Sequence, residues 1–299
     1  MYLSFYGLAE RPFNTTPDPR FLYLTRGHRE ALAQLVYSVR ENRGFLVLTG
    51  EVGTGKTTLL QALLERLDGK TAAAYVSTST LSFHGLLEYT LEELGVPAPK
   101  ATPAQRLLAL RRVLIDRRRA GQGTVLILDE AQNFGMATLE QIRLLSNFET
   151  RTDKLLQILL VGQPELRAKL DRRELRQLRQ RVELQCNINA LSSEEVSHYI
   201  QTRLRVAGSR DGDLFSDQAR AQIAAYSRGI PRRINVLCDH CLVIGLAEQR
   251  RRIEVDIVAE AIESVDPVRR GLPRLTRSAR LDTTHLRTLV RQMRELVLR

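Results

Sequence analysis

The chain has 299 residues, of which 43% are hydrophobic and 26% charged, ordinary proportions for a globular protein with room for one or two buried cores. Its longest apolar runs fall far short of a membrane span, and its first residues lack the basic and apolar regions of a signal peptide. Cys186, Cys238 and Cys241 are too few for a disulfide framework, which points to a reducing compartment and a cytoplasmic protein. The net charge of +11 is unevenly spread. Residues 268–299 carry nine arginines against Asp282 and Glu295, a net +7, so the body of the chain is close to neutral.

Residues 1–24 are punctuated by Phe5, Tyr6, Pro12, Phe13, Pro17, Pro19, Phe21 and Tyr23, which reads as an extended segment laid over a domain. Phe13 or Tyr23 could stack on a nucleobase, although packing into the core is the expected role of such rings. Thr25 caps a predicted helix to about residue 42, with Ala31, Leu35 and Val39 on one face and Gly44 as its stop. Residues 1–44 are thus expected to pack on the domain that begins at residue 45.

That domain opens with a strand over 45–49 and a turn, Gly50-Glu51-Val52-Gly53-Thr54-Gly55-Lys56-Thr57-Thr58, which leads into a leucine-rich helix over 56–67. Residues 50–57 fit G-x-x-x-x-G-K-[ST] in the strand–turn–helix setting that a phosphate-binding loop requires. Glycines let the backbone curl so that successive N–H groups face phosphate oxygens, and the helix adds its positive dipole end. In such a loop Lys56 reaches the β- and γ-phosphates and the Thr57 hydroxyl ligates Mg²⁺, so the expected ligand is a nucleoside triphosphate.

A strand over 72–77 follows, then helices over 82–94 and 103–119, the second announced by Thr102-Pro103 with Gln105 in capping-box position. Arg111, Arg112, Arg117, Arg118 and Arg119 give that helix a basic end, expected to be a solvated face, with DNA contact as the alternative. Val125-Leu126-Ile127-Leu128 reads as a buried strand with Asp129 and Glu130 at its C-terminal end, the edge of an α/β sheet where ligands bind. Asp129 would lie near the metal ion held by Thr57, and Glu130 is placed to deprotonate or orient an attacking water.

A helix over 137–148 precedes a strand over 155–161, which ends in Gly162-Gln163-Pro164-Glu165. Gln163 suits an amide touching the γ-phosphate or the water, and equally suits an ordinary polar loop. An arginine-rich stretch over 172–181 leads into a last strand over 182–186. From Leu191 the pattern is helical only: Ser192 with Glu195 caps 193–206, Ser216 caps 217–228 before Gly229, Pro231 starts 231–247, and Asp256 caps 256–265. Within it Cys238-Asp239-His240-Cys241 has no second Cys/His pair, so burial rather than metal binding is expected. In the basic segment Asp282 or Thr283 could cap an amphipathic helix carrying Leu286, Leu289, Val290, Met293 and Val297.

With Gly229-Ile230-Pro231-Arg232-Arg233-Ile234-Asn235 added to the loop and the acidic pair, the chain resembles the AAA+ ATPases, and among them the ExeA/GspA-type secretion ATPases. The resemblance rests also on Phe5-Tyr6-Gly7-Leu8, Pro12-Phe13, Pro17-Asp18-Pro19-Arg20-Phe21, His28-Arg29-Glu30-Ala31-Leu32, Leu128-Asp129-Glu130-Ala131-Gln132 and Val161-Gly162-Gln163-Pro164-Glu165-Leu166, and covers about 1–267. It implies an α/β P-loop NTPase with a five-stranded parallel sheet sandwiched by helices over 45–190, an all-helical lid domain over 191–267, and ATP with Mg²⁺ between them. By the same resemblance Lys56 and Thr57 are the Walker A pair, Asp129 and Glu130 the Walker B pair, Gln163 sensor 1 and Arg232 sensor 2. Arg181, or failing that Arg179, would be the arginine finger that completes a neighbour's site, which implies ATP-dependent homo-oligomers.

Three functions follow from these observations. In the first, ATP hydrolysis drives assembly of a ring or filament that recruits a secretion or pilus component. In the second, the chain is an ATP-dependent DNA regulator or loader of the transposition-protein type, for which the basic 268–299 segment and the 103–119 helix speak. In the third, a scaffold binds ATP but barely turns it over. Secretion ATPases of this type continue into a membrane span and a cell-wall-binding region, whereas here a basic tail follows the ATPase, so a direct envelope anchor is not expected.

Overall fold

Five short runs of apolar residues form one parallel sheet: β1 (Phe45–Gly50), β2 (Thr71–Val76), β3 (Gly123–Leu128), β4 (Gln157–Gly162) and β5 (Val182–Ile188), in the spatial order β2-β3-β4-β1-β5. In this computed structural model the described residues are 2–266, apart from 15–17, 68, 79–80, 97–100, 152 and 211. The basic segment and its expected helix lie outside them.

Parallel strands need crossovers, and helices supply them. These are α2 (Arg26–Arg40) and α3 (Lys56–Arg66) on one face of the sheet, and α4 (Phe83–Glu93), α5 (Pro103–Arg119), α6 (Met136–Leu145) and α7 (Pro164–Leu170) on the other, counting a short N-terminal α1 (Tyr2–Tyr6) as the first helix. Strand alternation decides which cluster each residue joins. Leu46 and Leu48 of β1 pack with α2 and α3, whereas Phe45 and Val47 enter the opposite cluster. The central strands β1 and β4 are buried throughout, which explains their unbroken apolar sequences; edge strand β5 alternates instead.

The helix starts follow the expected side-chain caps. Thr25 accepts from the His28 amide, and the reciprocal capping boxes Thr102–Gln105 and Ser192–Glu195 both form. Two further short pieces, α7 and α8 (Arg176–Arg179), lie where the sequence shows only a polar turn and an arginine run; Pro164 in the first turn of α7 was the available signal. The helical portion comprises α9 (Ser193–Val206), α10 (Asp217–Ser227), α11 (Pro231–Ala247) and α12 (Val255–Val265). Helix α12 starts a residue earlier than expected, so Asp256 lies inside its first turn and pairs with Arg250 rather than capping it.

The first 24 residues depart from the extended reading at their start. Tyr2–Tyr6 is helical because Tyr2 and Tyr6, four apart, fall on one face and are buried together. The Tyr2 hydroxyl donates to Asp239 at 2.6 Å and the Tyr6 hydroxyl to the Arg250 carbonyl at 3.1 Å. Expected to pack on the sheet domain, the segment sends Tyr2, Tyr6, Leu8, Phe13 and Phe21 into the cluster formed by α9–α12, while Leu22 and Leu24 reach the sheet-side cluster. Phe13 meets Phe215 edge to face at 6.0 Å, a core contact and not a stacking platform.

At the basic end of α5, Arg117 and Arg118 are engaged within the chain, whereas Arg111, Arg112 and Arg119 are exposed as expected of a solvated face. Arg117 donates to Thr124 and to the Gly123 carbonyl, Arg118 pairs with Asp153, and Arg119 lies 3.8 Å from Asp116. Cys238 and Cys241 are fully buried on α11, and burial pushes both thiols up, Cys241 to about 12.

One glycine in the helical portion is sterically required. Gly229 has φ +73° and lies against Leu191, whose amide donates to its carbonyl at 2.9 Å; a Cβ would collide with the Leu191 carbonyl. Gly229→Ala should therefore cost about 2 kcal/mol or more, a fall of roughly 4–8 °C in Tm. Gly27→Ala, at an unstrained position on α2 with its nearest neighbour 3.8 Å away, should be neutral or slightly stabilising in the same thermal melts.

Candidate nucleotide-binding site

Strand β1 carries Gly50 to the C-terminal edge of the sheet, and the chain turns through Gly53 at φ +82° and Gly55 at φ +100° before α3 begins at Lys56. These conformations suit glycine alone, and two of the three glycines also answer a close approach. A Cβ on Gly50 would stand 2.7 Å from the Ile188 carbonyl oxygen, and one on Gly53 2.7 Å from the Arg232 Cβ. Lys56 is buried, and its ammonium folds back to donate to the Gly50 and Glu51 carbonyls at 2.8 and 3.0 Å. Burial lowers its pKa, and the carboxylates of Glu130, Asp129 and Glu51 work against that. Thr54 donates to the Glu51 carbonyl and tightens the turn, while Val52 and Thr57 are exposed and Thr58 half-buried.

Strand β3 delivers the acidic pair to the same edge. Asp129 is buried; its Oδ1 accepts from the Glu130 amide at 2.8 Å and its Oδ2 from the Tyr75 hydroxyl at 2.7 Å. Glu130 follows in the left-handed region at φ +51°, a conformation that costs a non-glycine residue of order 1–3 kcal/mol and swings its side chain away from the strand direction. Its Oε2 accepts from the Gln132 amide at 2.5 Å and from the Gln163 amide at 3.1 Å. Burial raises the pKa of this carboxyl, but the two amides and Lys56 together carry it below the ordinary value, so Glu130 is ionised. Gln132 is held in turn, since its Oε1 accepts from the Gln163 backbone at 3.1 Å. Gly162 leaves it room, as a Cβ there would stand 2.6 Å from that oxygen.

Of the residues singled out in the sequence, the structure brings Gly53, Thr54, Gly55, Lys56, Thr57, Thr58, Val52, Glu130 and Arg232 onto one cavity of about 400 Å³ between the loop and the helical portion. Arg232 is in the first turn of α11, and its amide donates to the Gly53 carbonyl at 3.3 Å. Gln163 reaches the cavity through Glu130 rather than lining it. Arg179 and Arg181 do not line it: Arg179 donates to Asp171 at 3.2 Å, and Arg181 to Ser146 and Asn147 beyond the end of α6. Tyr75, Gln132 and His28 were given no role from spacing. Gln132 stands in the same motif as the acidic pair, but Tyr75 meets Asp129 only because β2 pairs with β3.

Helix α2 supports the loop through His28. Its Nε2 lies 3.2 Å from the Thr54 carbonyl and its Nδ1 2.7 Å from Thr25 Oγ1. A carbonyl only accepts, so Nε2 carries the proton and Nδ1 accepts from the threonine hydroxyl. Burial lowers the pKa of His28, opposed by the Thr54 carbonyl and the charge of Glu195.

The loop after β1, the acidic pair at the end of β3, one strand removed across β4, and the helical portion beside them have counterparts in known proteins. Residues 39–170 match the family described as AAA domain. The chain carries an AAA domain of the P-loop NTPase class. It is 40% identical over 270 residues to General secretion pathway protein A of Aeromonas hydrophila, an alignment that takes in 90% of this chain and 49% of that protein. The chain thus spans about half the length of the curated relative it matches. Among solved structures, the Aeropyrum pernix ORC2 protein in its ADPNP–ADP complexes superposes with a TM-score of 0.64 at 20% identity, over 93% of this chain and 74% of that one. The Thermotoga maritima RuvB Holliday junction branch migration motor gives 0.55 at 21% identity, over 83% and 71% of the two chains. At such identities these two likenesses establish the fold. Among the described residues no helix is long and apolar enough to cross a membrane.

The neutral, buried His28 makes a pH-dependent contribution of fixed sign. Below about pH 6.5 the unfolded chain takes up a proton that the folded chain refuses, so stability falls with pH in that window and levels off once the folded imidazole also protonates. Thermal melts of the wild type should lose more Tm between about pH 7 and pH 5 than melts of His28→Gln.

Proposed function

We propose that the chain binds ATP with Mg²⁺ in this cavity and hydrolyses it. The observation that carries this reading is the Glu130 carboxylate, held by two amides at the cavity that the phosphate loop and Lys56 also line. The residues fit the groups they would hold. The glycine-shaped loop and the dipole of α3 suit the phosphates, with Lys56 released from its two carbonyls to meet them. Mg²⁺ would be held by Thr57 and by Asp129, whose oxygens each accept one hydrogen bond from the described residues and retain lone pairs; it would neutralise charge on the phosphates. Glu130 accepts the proton of the attacking water, Gln163 and Gln132 keep its carboxylate oriented, and Arg232 closes the site from α11.

The 40% identity to a General secretion pathway protein supports a role as an ATP-driven assembly that recruits or remodels a secretion component. Arg181, or Arg179, is the residue for a neighbouring subunit's site: both stand on the arginine-rich stretch away from their own cavity. An arginine supplied in trans is worth roughly 10³–10⁵ in rate in other P-loop enzymes, so a lone subunit would turn over slowly and a homo-oligomeric ring or filament quickly. The DNA reading keeps the net +7 of residues 268–299 and the exposed Arg111, Arg112 and Arg119 of α5, whereas the internal pairing of Arg117 and Arg118 removes part of the support from that helix.

Lys56→Ala should abolish nucleotide binding, while Glu130→Gln should retain ATP with hydrolysis slowed on the order of 10²–10⁴-fold. Normal turnover in purified Glu130→Gln protein would sink the assignment. The ATPase rate per chain should rise steeply with protein concentration, and Arg181→Ala or Arg179→Ala should flatten that rise; a concentration-independent rate would refute the trans arginine. If duplex DNA is a ligand, its affinity should fall with salt at a log–log slope of about −0.9 per phosphate contact, and removal of 268–299 should weaken it while sparing basal hydrolysis.

A further inference from the structure

Besides the phosphate loop, the cavity is lined by Tyr23 of the N-terminal segment, by Tyr199 and Arg203 of α9, and by Asn235, one turn along α11 from Arg232. Arg203 is 7% exposed and makes no salt bridge among the described residues; its guanidinium donates to the Tyr199 hydroxyl at 2.9 Å and to the backbone carbonyls of Pro12 and Asn14. Tyr199 in turn stands 2.9 Å from Asn235 Oδ1. The direction of this relay is fixed by chemistry. A guanidinium has only donors, so the Tyr199 oxygen accepts from it and its own proton must go onward. Burial raises the Tyr199 pKa, so that proton is present. Asn235 therefore gives its carbonyl oxygen to Tyr199 and turns its Nδ2 amide away from it. Asn235 is 6% exposed, lines the cavity, and its Nδ2 has no protein partner among the described residues.

We propose that Asn235 is a specificity-determining residue that donates from Nδ2 to a hydrogen-bond acceptor on the nucleobase of the bound nucleotide, with its amide orientation locked by Arg203 through Tyr199. This rests on the nucleotide reading given above. An amide presenting only donors to the ligand suits a ring nitrogen or ring carbonyl and is unsuited to an N–H edge. Tyr23, half-buried, lining the cavity and fixed edge to face on Tyr199 at 5.9 Å, gives a planar ring an apolar surface beside that donor.

The test compares ATP, ribose 5-triphosphate and inorganic tripolyphosphate as ligands for the whole chain, by titration calorimetry. Asn235→Ala should weaken ATP about five- to tenfold, the worth of one neutral hydrogen bond, and leave the other two unchanged. Tyr199→Phe, which keeps the ring but frees the amide to flip, should weaken ATP by a smaller factor and again spare both base-free ligands. Unchanged ATP affinity in Asn235→Ala would overturn the proposal. So would an equal loss for ribose 5-triphosphate, which would move the contact to the sugar, or for tripolyphosphate, which would make Asn235 a support of the loop. If Asn235→Ala does not fold, Tyr199→Phe decides alone: equal affinity for ATP in that variant and the wild type refutes the relay. Failure of the unaltered chain to bind either ATP or tripolyphosphate would strike at the nucleotide site itself, a result distinct from selective loss of the base contact.

Discussion

The rest of the structure depends on how closely other backbone can approach the loop between β1 and α3. Gly50 admits the carbonyl of Ile188 from the neighbouring strand, and Gly53 admits the first turn of α11. Because neither glycine has a side chain, the loop is pinned on both sides by main chain, and the Arg232 amide closes on the Gly53 carbonyl. A flexible glycine-rich segment becomes a fixed cradle by losing room, and the side chains of Lys56, Thr54 and His28 hold its carbonyls. The same contact couples the helical portion to the phosphate end, so a change at either is transmitted through one peptide group.

The acidic pair illustrates a second constraint. Asp129 and Glu130 are adjacent in sequence yet face different partners, because the chain turns left-handed at Glu130. Asp129 continues the strand and is satisfied by Tyr75, while Glu130 is turned toward the amides of Gln132 and Gln163. One unfavourable backbone angle thus separates a carboxylate bonded to Tyr75 from one held by two amides, which two consecutive residues of a regular strand could also do only by pointing to opposite faces of the sheet.

Much of this was legible beforehand. Apolar runs of four to six residues ending in Gly50, Asp129 and Gly162 marked the three central strands, because strands covered on both faces have no polar alternation to confuse the reading. Caps at Thr25, Thr102 and Ser192 marked helix starts, since the side-chain chemistry involved is local. What escaped was long-range. Tyr75 touches Asp129 across strands that are 54 residues apart, and His28 supports Thr54 from a helix that precedes the sheet. The irregular chain that aromatics and prolines suggest for residues 1–24 holds over most of the described part of that stretch; residues 2–6 differ, because the amphipathic spacing of Tyr2 and Tyr6 acquires meaning only beside α11.

That N-terminal anchorage bears on the order in which the protein can be built. Tyr2 is bonded to Asp239 and Tyr6 to Arg250, pairs separated by 237 and 244 positions. During synthesis residues 2–6 leave the ribosome long before the other members of the core they join. The sheet can assemble in the interval, but the opening helix must wait, with two tyrosines and a phenylalanine unprotected, until α11 and the turn after it have emerged.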